Sequence, residues 1–233
     1  MRFNTISVLG AGAWGTALAN VAARAGHDVC LWGRSSRAMD DLSKLRENPR
    51  LPGVKLEARV APGSDLQQAA KADLVLCVVP AQNTRELAVQ LKSHVASSVP
   101  LVLCSKGIER GTRKFMNEVL RDELPANPIA VLSGPSFAAD VSRGLPTAVT
   151  LAADQEDLAR EVAAALSSPS FRLYHSDDLR GVEIGGAAKN VLAIACGIAS
   201  GRGLGASAGA ALVARGFAEL RRFGAAFGDG QRP

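Results

Sequence analysis

Aromatic residues are scarce in this chain of 233 residues, which holds seven Phe, two Trp and one Tyr. So thin a supply argues against an all-β fold, whose strands draw heavily on aromatic side chains. Histidine is rarer still: His27, His94 and His175 lie far apart and form no recognisable ligand motif. The four cysteines have no metal-ligand spacing either, so no metal site is expected. Cys30, Cys77 and Cys104 fall in strand-like apolar runs and Cys196 in a helix-like one, as buried small hydrophobes of a reducing compartment would. The formal charge is +5, but Lys and Arg are scattered among Asp and Glu with no basic run interleaved with aromatics. Nucleic-acid binding is therefore not expected, whereas a modest positive balance suits ligands that carry phosphates. No secretory leader is read, because the apolar run from Thr5 meets glycines at once. No segment reads as long and apolar enough to span a bilayer, so the expectation is a cytoplasmic protein without membrane insertion.

Hydrophobic residues make up 47% and charged residues 21%, which excludes wholesale disorder. The length suits one large domain, or one domain plus part of another. Residues 5–9 alternate and are β-branched, so they read as a strand. Gly10-Ala11-Gly12-Ala13-Trp14-Gly15 then opens an Ala-rich helical stretch to Ala25, closed by Gly26, and residues 28–32 read as a second strand. Short apolar runs follow at 73–79, 101–104, 129–132 and 148–151. Amphipathic segments such as 84–91 and 112–120 separate most of them. Strands alternating with helices imply parallel pairing and right-handed crossovers, hence an α/β, Rossmann-type doubly wound sheet. From about Val182 the pattern changes to two long apolar helices, 182–200 and 206–227, with a polar tail at 228–233. The expected division is a dinucleotide-binding domain over 1–180 and the beginning of an all-α domain over 181–233. Two helices cannot bury their own apolar faces, which could pair in a homodimer or aggregate.

Gly-x-Gly-x-x-Gly alone is a weak signal. Here it follows a strand, opens a helix and leads to a second strand, the setting of a dinucleotide site. Gly10 allows the tight turn, Gly12 lets the backbone approach a pyrophosphate, and Gly15 lets the helix pack closely on the strand. The free N–H groups at the helix start attract that anion. At the end of the second strand, an NAD-preferring site usually carries Asp or Glu for the ribose 2′-hydroxyl. This chain reads Trp32-Gly33-Arg34-Ser35-Ser36-Arg37, with no carboxylate until Asp40. Arg34 and Arg37 could embrace a 2′-phosphate, so NADPH is favoured without excluding NADH. The alternative is that both are solvated loop residues.

Three later motifs sit beyond strand ends, where such folds place ligands. They are Val78-Val79-Pro80-Ala81-Gln82, Cys104-Ser105-Lys106-Gly107-Ile108-Glu109 and Ser133-Gly134-Pro135-Ser136-Phe137-Ala138. The Gly-Pro turn is expected to start a helix whose free N–H groups, with Lys106, would hold a phosphate. Taken singly, each also reads as a capped loop. More informative is Gly185-Gly186-Ala187-Ala188-Lys189-Asn190, which puts a lysine well inside an apolar helix along a stripe of small residues. Such a lysine can serve as general acid/base once burial or a nearby cation lowers its pKa, and Lys106 is the candidate cation. The bland alternative is a snorkelling lysine at a domain boundary.

Together and in this order, these motifs resemble the bacterial NAD(P)-dependent glycerol-3-phosphate dehydrogenase family. The likeness runs from residue 6 to about 228 and includes the loops 48–53 and Gly144-Leu145-Pro146-Thr147. It implies hydride transfer between NAD(P)H and dihydroxyacetone phosphate, giving sn-glycerol 3-phosphate for phospholipid synthesis. On the matching positions it implies Lys189 as proton donor and acceptor, with Asn190 orienting the reacting oxygen. It further implies substrate contacts by Lys106, Gly134, Ser136 and Lys189. Cofactor contacts would come from Ala13, Trp14, Arg34, Lys106 and Ala138, beside the three glycines.

Two features depart from the family pattern. The family continues through further helices bearing a Gly-Asp pair and a Ser-Arg-Asn run, and the closing residues 228–233 do not resemble them. Ser207 and Gly209 also stand where relatives often carry Asn and Arg. The expectation is thus a truncated member, with a catalytically incomplete NADPH-binding module as the alternative to the enzyme. A dehydrogenase for another phosphorylated or carboxylated substrate is the third, weaker reading.

Overall fold

The glycine-rich turn is built as its spacing predicts: strand β1 (Thr5–Leu9), helix α1 (Ala13–Arg24) and strand β2 (Asp28–Trp32) follow one another, with β1 and β2 parallel. The computed structural model describes residues 3–227, so the tail at 228–233 lies outside the described residues. After β2 come α2 (Ser36–Leu45), β3 (Val60–Gly63), α3 (Leu66–Ala69) and β4 (Leu74–Cys77). A short 3-10 turn at Ala81–Asn83 then leads into α4 (Thr84–Leu91), β5 (Leu101–Leu103), α5 (Met116–Glu123) and β6 (Ile129–Ser133). The sheet is completed through α6 (Ala138–Ser142), β7 (Thr147–Ala153), α7 (Glu156–Leu166) and β8 (Phe171–Ser176).

The eight strands lie in the order β3-β2-β1-β4-β5-β6-β7-β8. The central strands read as unbroken apolar runs because helices cover both faces of the sheet. Leu18 of α1 belongs to the core on one face, and Leu87 and Leu91 of α4 with Leu120 of α5 to the core on the other. The chain leaves β1 toward β2 on one side and reaches β4 on the other, which opens a crevice at the carboxyl end of β1.

Parallel pairing does not hold throughout, since β6 and β7 are antiparallel. The helix between them has only five residues. It rises about 7 Å against the roughly 17 Å of a five-residue strand, too little to carry the chain back for a parallel return. Gly144, at φ 73°, turns the chain directly into β7. The two edge strands, β3 and β8, escape the periodicity reading. Pro62 and Gly63 disguise β3 as a turn, and proline is tolerated there because the strand lies at an edge.

Two long helices close the described chain, α8 (Leu179–Gly201) and α9 (Gly205–Phe227). The Asp178 carboxylate caps α8 by accepting the Gly181 N–H at 2.8 Å. Gly216 of α9 rests against Leu192 of α8, where a Cβ would stand 2.2 Å from a Leu192 methyl. The expectation that no segment could span a bilayer needs correction. Helix α8 has 23 residues, and an 18-residue stretch of it reaches a mean hydropathy of 1.4, enough by length and composition alone. Its first part is instead seated against the sheet through Leu179, Ile184 and Gly186. Beyond that the apolar side chains are open, as with Val191 at 72% and Phe217 of α9 at 60% exposure.

Glu183, in the seated part of α8, accepts the Asn117 N–H at 2.8 Å, while its other carboxyl oxygen is buried without a partner. Burial raises its pKa from the ordinary 4.5 to about 7. A carboxyl that titrates higher in the folded chain favours folding below its unfolded value and loses that contribution as pH rises through 7. Glu183→Gln keeps the acceptor and removes the anion, so it is expected to stabilise the fold above pH 7 by on the order of 2 kcal/mol. Thermal melts at pH 5 and pH 8.5 measure this; an equal shift at both would contradict it.

Candidate active site

Two glycines of the first turn, Gly10 and Gly15, are sterically required. Gly10 adopts φ 128° and donates its N–H to the Trp32 carbonyl at 2.9 Å; a Cβ there would stand 2.4 Å from the Val78 carbonyl oxygen. A Cβ on Gly15 would lie 1.9 Å from the Gly10 carbonyl oxygen, so this glycine makes room chiefly for the turn itself. Gly12 has open space where a Cβ would be. It heads α1 with no side-chain cap and no acidic residue in the first turn, leaving N–H groups for an anion.

A cleft of about 920 Å³ runs along this turn, within the size range of small-molecule sites. Its walls include Ala13, Trp14, Val78–Pro80, Lys106 and Ser136–Ala138. At the end of β2, Arg34 lines the cleft and is exposed, but Arg37 does not line it. Arg37 falls inside the first turn of α2, whose N-cap Ser35 accepts the Ala38 N–H at 3.2 Å and which faces the cleft with Ala38, Asp41 and Leu42 instead. Arg50 takes the second place on the wall. Its loop is tied to the glycine turn by buried Asn48, which donates to the Ala11 carbonyl at 3.2 Å and to Thr16 Oγ1 at 2.7 Å. In the sequence only the family likeness over 48–53 marked this loop.

Three distant segments meet beside the cleft where Lys106 lines it. Lys106 follows β5 and lines the wall. Gly134 follows β6 and is close-packed: a Cβ there would be 2.8 Å from Val149 Cα. Its carbonyl accepts a hydrogen bond from Lys189 Nζ at 2.5 Å. The expected helix start at the Gly-Pro turn is not observed, because Pro135–Phe137 are non-helical and α6 begins only at Ala138. A single turn of helix offers little dipole, so any phosphate held here depends on Lys106 and individual polar groups. Ser136 and Ala138 line the cleft, and Phe137, at 75% exposure, stands at its mouth. Asn190 follows Lys189 on an exposed side of α8.

Lys189 is partly buried, and that desolvation first, then the hydrogen-bonded and charged neighbour Lys106, pushes its pKa down from 10.5 to about 8. Two ammonium groups can share a hydrogen bond only when one gives up its proton. Gly186, one turn earlier, makes this meeting possible. A Cβ there would lie 2.8 Å from Ser133 Oγ and 3.7 Å from Lys106 Cγ, so a bare backbone brings α8 against β6 and the Lys106 stem. The arrangement can move a proton beside the cleft and place positive charge on its wall.

Comparison with known proteins gives the same picture across the chain. Residues 5–159 match the family described as NAD-dependent glycerol-3-phosphate dehydrogenase N-terminus, and residues 178–232 match its C-terminus counterpart. A curated relative from Afipia carboxidovorans, named glycerol-3-phosphate dehydrogenase (NAD(P)+), is 61% identical over 97% of this chain and 70% of its own length. Its namesake from Azorhizobium caulinodans is 63% identical over 97% of this chain and 69% of its own length. A crystal structure of glycerol-3-phosphate dehydrogenase from Coxiella burnetii superposes with a TM-score of 0.92 at 37% identity, over 98% of this chain and 70% of that one.

Proposed function

The chain belongs to the NAD-dependent glycerol-3-phosphate dehydrogenase family, and from that premise we infer that it interconverts dihydroxyacetone phosphate and sn-glycerol 3-phosphate with NAD(P)H. The observation that carries this reading is the meeting of Lys106, which lines a dinucleotide-sized cleft, with Lys189 and the Gly134 carbonyl beside it. The nicotinamide cofactor supplies the hydride that reduces the ketone carbon. The open cradle at Gly12 and the uncapped start of α1 fit its pyrophosphate, with Ala13, Trp14 and Ala138 along the wall. Lys189 gives its proton to the substrate C2 oxygen as that oxygen becomes an alkoxide, and takes one back in the reverse direction. Lys106 contributes positive charge to substrate and cofactor, and Gly134 and Ser136 border the substrate; the orienting role of Asn190, exposed on α8, rests on the family likeness alone. A cytoplasmic location fits four free cysteines, two of them buried. A cofactor-binding module without turnover is not favoured, since both halves of the family pattern are matched and the two lysines come together.

Following NADPH oxidation at 340 nm with dihydroxyacetone phosphate tests this reading, with NADPH binding by fluorescence alongside. Turnover is expected; binding without turnover would overturn it in favour of the module.

Selectivity is assigned to Arg34 and Arg50 rather than to Arg34 and Arg37. Arg34→Ala is expected to weaken NADPH by about tenfold or more, the worth of one charge-assisted phosphate contact, and NADH far less. Arg37→Ala should leave the NADPH-to-NADH ratio unchanged. Equal losses for both cofactors in Arg34→Ala would contradict the 2′-phosphate assignment.

A further inference from the structure

The Lys106 segment is held far more firmly than an exposed loop needs to be. Lysine has a flexible four-carbon stem, so the precision of its ammonium rests on how well its backbone is fixed. Three side chains between β4 and the middle of α4 provide that fixing. Gly107, at φ 151°, lies so close to Ala81 that a Cβ would stand 3.0 Å from the alanine methyl. The Gln82 amide grips the next residues at both its ends. Its Nε2 donates to the Ile108 carbonyl at 2.9 Å, and its Oε1 accepts the Arg110 N–H at 3.0 Å. Arg85, one turn further along, makes a two-pronged pair with Glu109, Nε to Oε1 at 2.8 Å and Nη2 to Oε2 at 2.9 Å. The remaining reach of its guanidinium goes to Glu123 at 2.7 Å and Asp122 at 3.0 Å on α5. Arg85 first, then Thr112, hold the Glu109 carboxyl below its ordinary range, so it stays charged for this role. Val78–Pro80, immediately before the turn that carries Ala81 and Gln82, form part of the cofactor cleft wall.

We propose that Gln82 and the Arg85–Glu109 ion pair are positioning residues for the reaction. They clamp the segment 105–110 so that Lys106 stands where the cofactor cleft meets Lys189. Neither touches the reacting atoms; both act through Lys106, and the inference rests on the Lys106 and Lys189 roles given above. Its physical basis is that misplacing a reacting or charge-bearing group by about 1 Å can cost on the order of a hundredfold in rate.

The test uses the full chain with Gln82→Met, which removes both amide bonds at an exposed position, and Arg85→Lys, which keeps the charge and loses the fork. Each is expected to lower kcat/KM for dihydroxyacetone phosphate by roughly tenfold, chiefly through KM, the signature of a lost contact common to bound substrate and transition state. The pH at which Lys189 becomes open to acylation, read by peptide mass spectrometry, is expected near 8 in the parent. In both variants it should shift upward by about one unit as Lys106 swings away. This second readout needs no turnover and is taken well below each variant's melting temperature, so that unfolded chain does not contribute to it. Unchanged KM and an unchanged labelling midpoint in Gln82→Met would overturn the clamp, whatever its melting temperature. Lys106→Met serves as the reference. If it turns over like the parent, the site reading itself has failed; if it is crippled while Gln82→Met is not, only the clamp has.

Discussion

Lys189→Met should abolish most turnover while leaving NADPH binding and the fold intact. General acid–base catalysis by a positioned side chain is worth about a hundred- to ten-thousandfold, and methionine matches the stem of lysine while removing its only proton donor. A loss of about a thousandfold in kcat is therefore expected. The parent's pH profile supplies the sign. Ketone reduction needs the protonated amine, so kcat/KM should be full below pH 8 and fall as pH rises through about 8. Alcohol oxidation needs the free amine and should rise through the same region. Lys189→Met should lose both limbs together with the activity. A variant retaining a tenth of the parental kcat, or a profile flat between pH 7 and 9.5, would remove Lys189 from the acid–base role. Lys106→Met has a different expected signature: lower affinity for substrate, and a Lys189 that titrates higher because its cationic neighbour is gone.

Gly15→Ala should cut dinucleotide binding severely, an effect second to that at Lys189 and of another origin. The added methyl would be placed 1.9 Å from the Gly10 carbonyl oxygen, a backbone atom that no side-chain rotation can clear. Gly10 cannot retreat, because its own space ends at the Val78 carbonyl and its N–H is bonded to Trp32. The turn must open, and the N–H groups that face the cleft lose their common aim. Overpacking of this kind costs about 1–3 kcal/mol in stability. Cofactor affinity should fall by about a hundredfold or more, since a phosphate held by backbone N–H groups tolerates little displacement. Fluorescence titration with NADPH and a thermal melt measure the two effects. Gly12→Ala is the control: its Cβ would meet nothing in the protein, so the fold should be unaffected and only ligand approach impeded. Parental affinity in Gly15→Ala would show that the turn does not set the cofactor site.

What was legible in the sequence was local. The Gly10–Gly15 turn could be read because the strand, turn, helix and strand that give it meaning lie within about thirty consecutive residues, each with its own periodicity. Lys189 stood out because an ammonium inside an apolar helix needs an explanation wherever that helix packs. The pairing of Lys189 with Lys106 was suggested by chemistry alone, and it takes β5, β6 and α8 to make the contact. Arg37 shows the limit of such reasoning. Three residues from Arg34, it sits in the first turn of α2 without lining the cleft, while Arg50, on a separate loop tied in by the Asn48 bonds, does line it. The Gly134-Pro135 turn likewise promised a helix start that the chain postpones to Ala138.

By itself, then, the sequence determined the glycine turn, the alternation of strands and helices up to β6 apart from the edge strand β3, and which lysine would carry an unusual charge. Periodicity and steric need act over a few residues and leave their mark in residue order. Tertiary structure alone decided the antiparallel return of β7, the arginine that shares the cleft with Arg34, and the grip of Gln82 and Arg85 on the Lys106 segment. Those depend on helix lengths measured against strand lengths and on side chains meeting across separate elements, which no local pattern records.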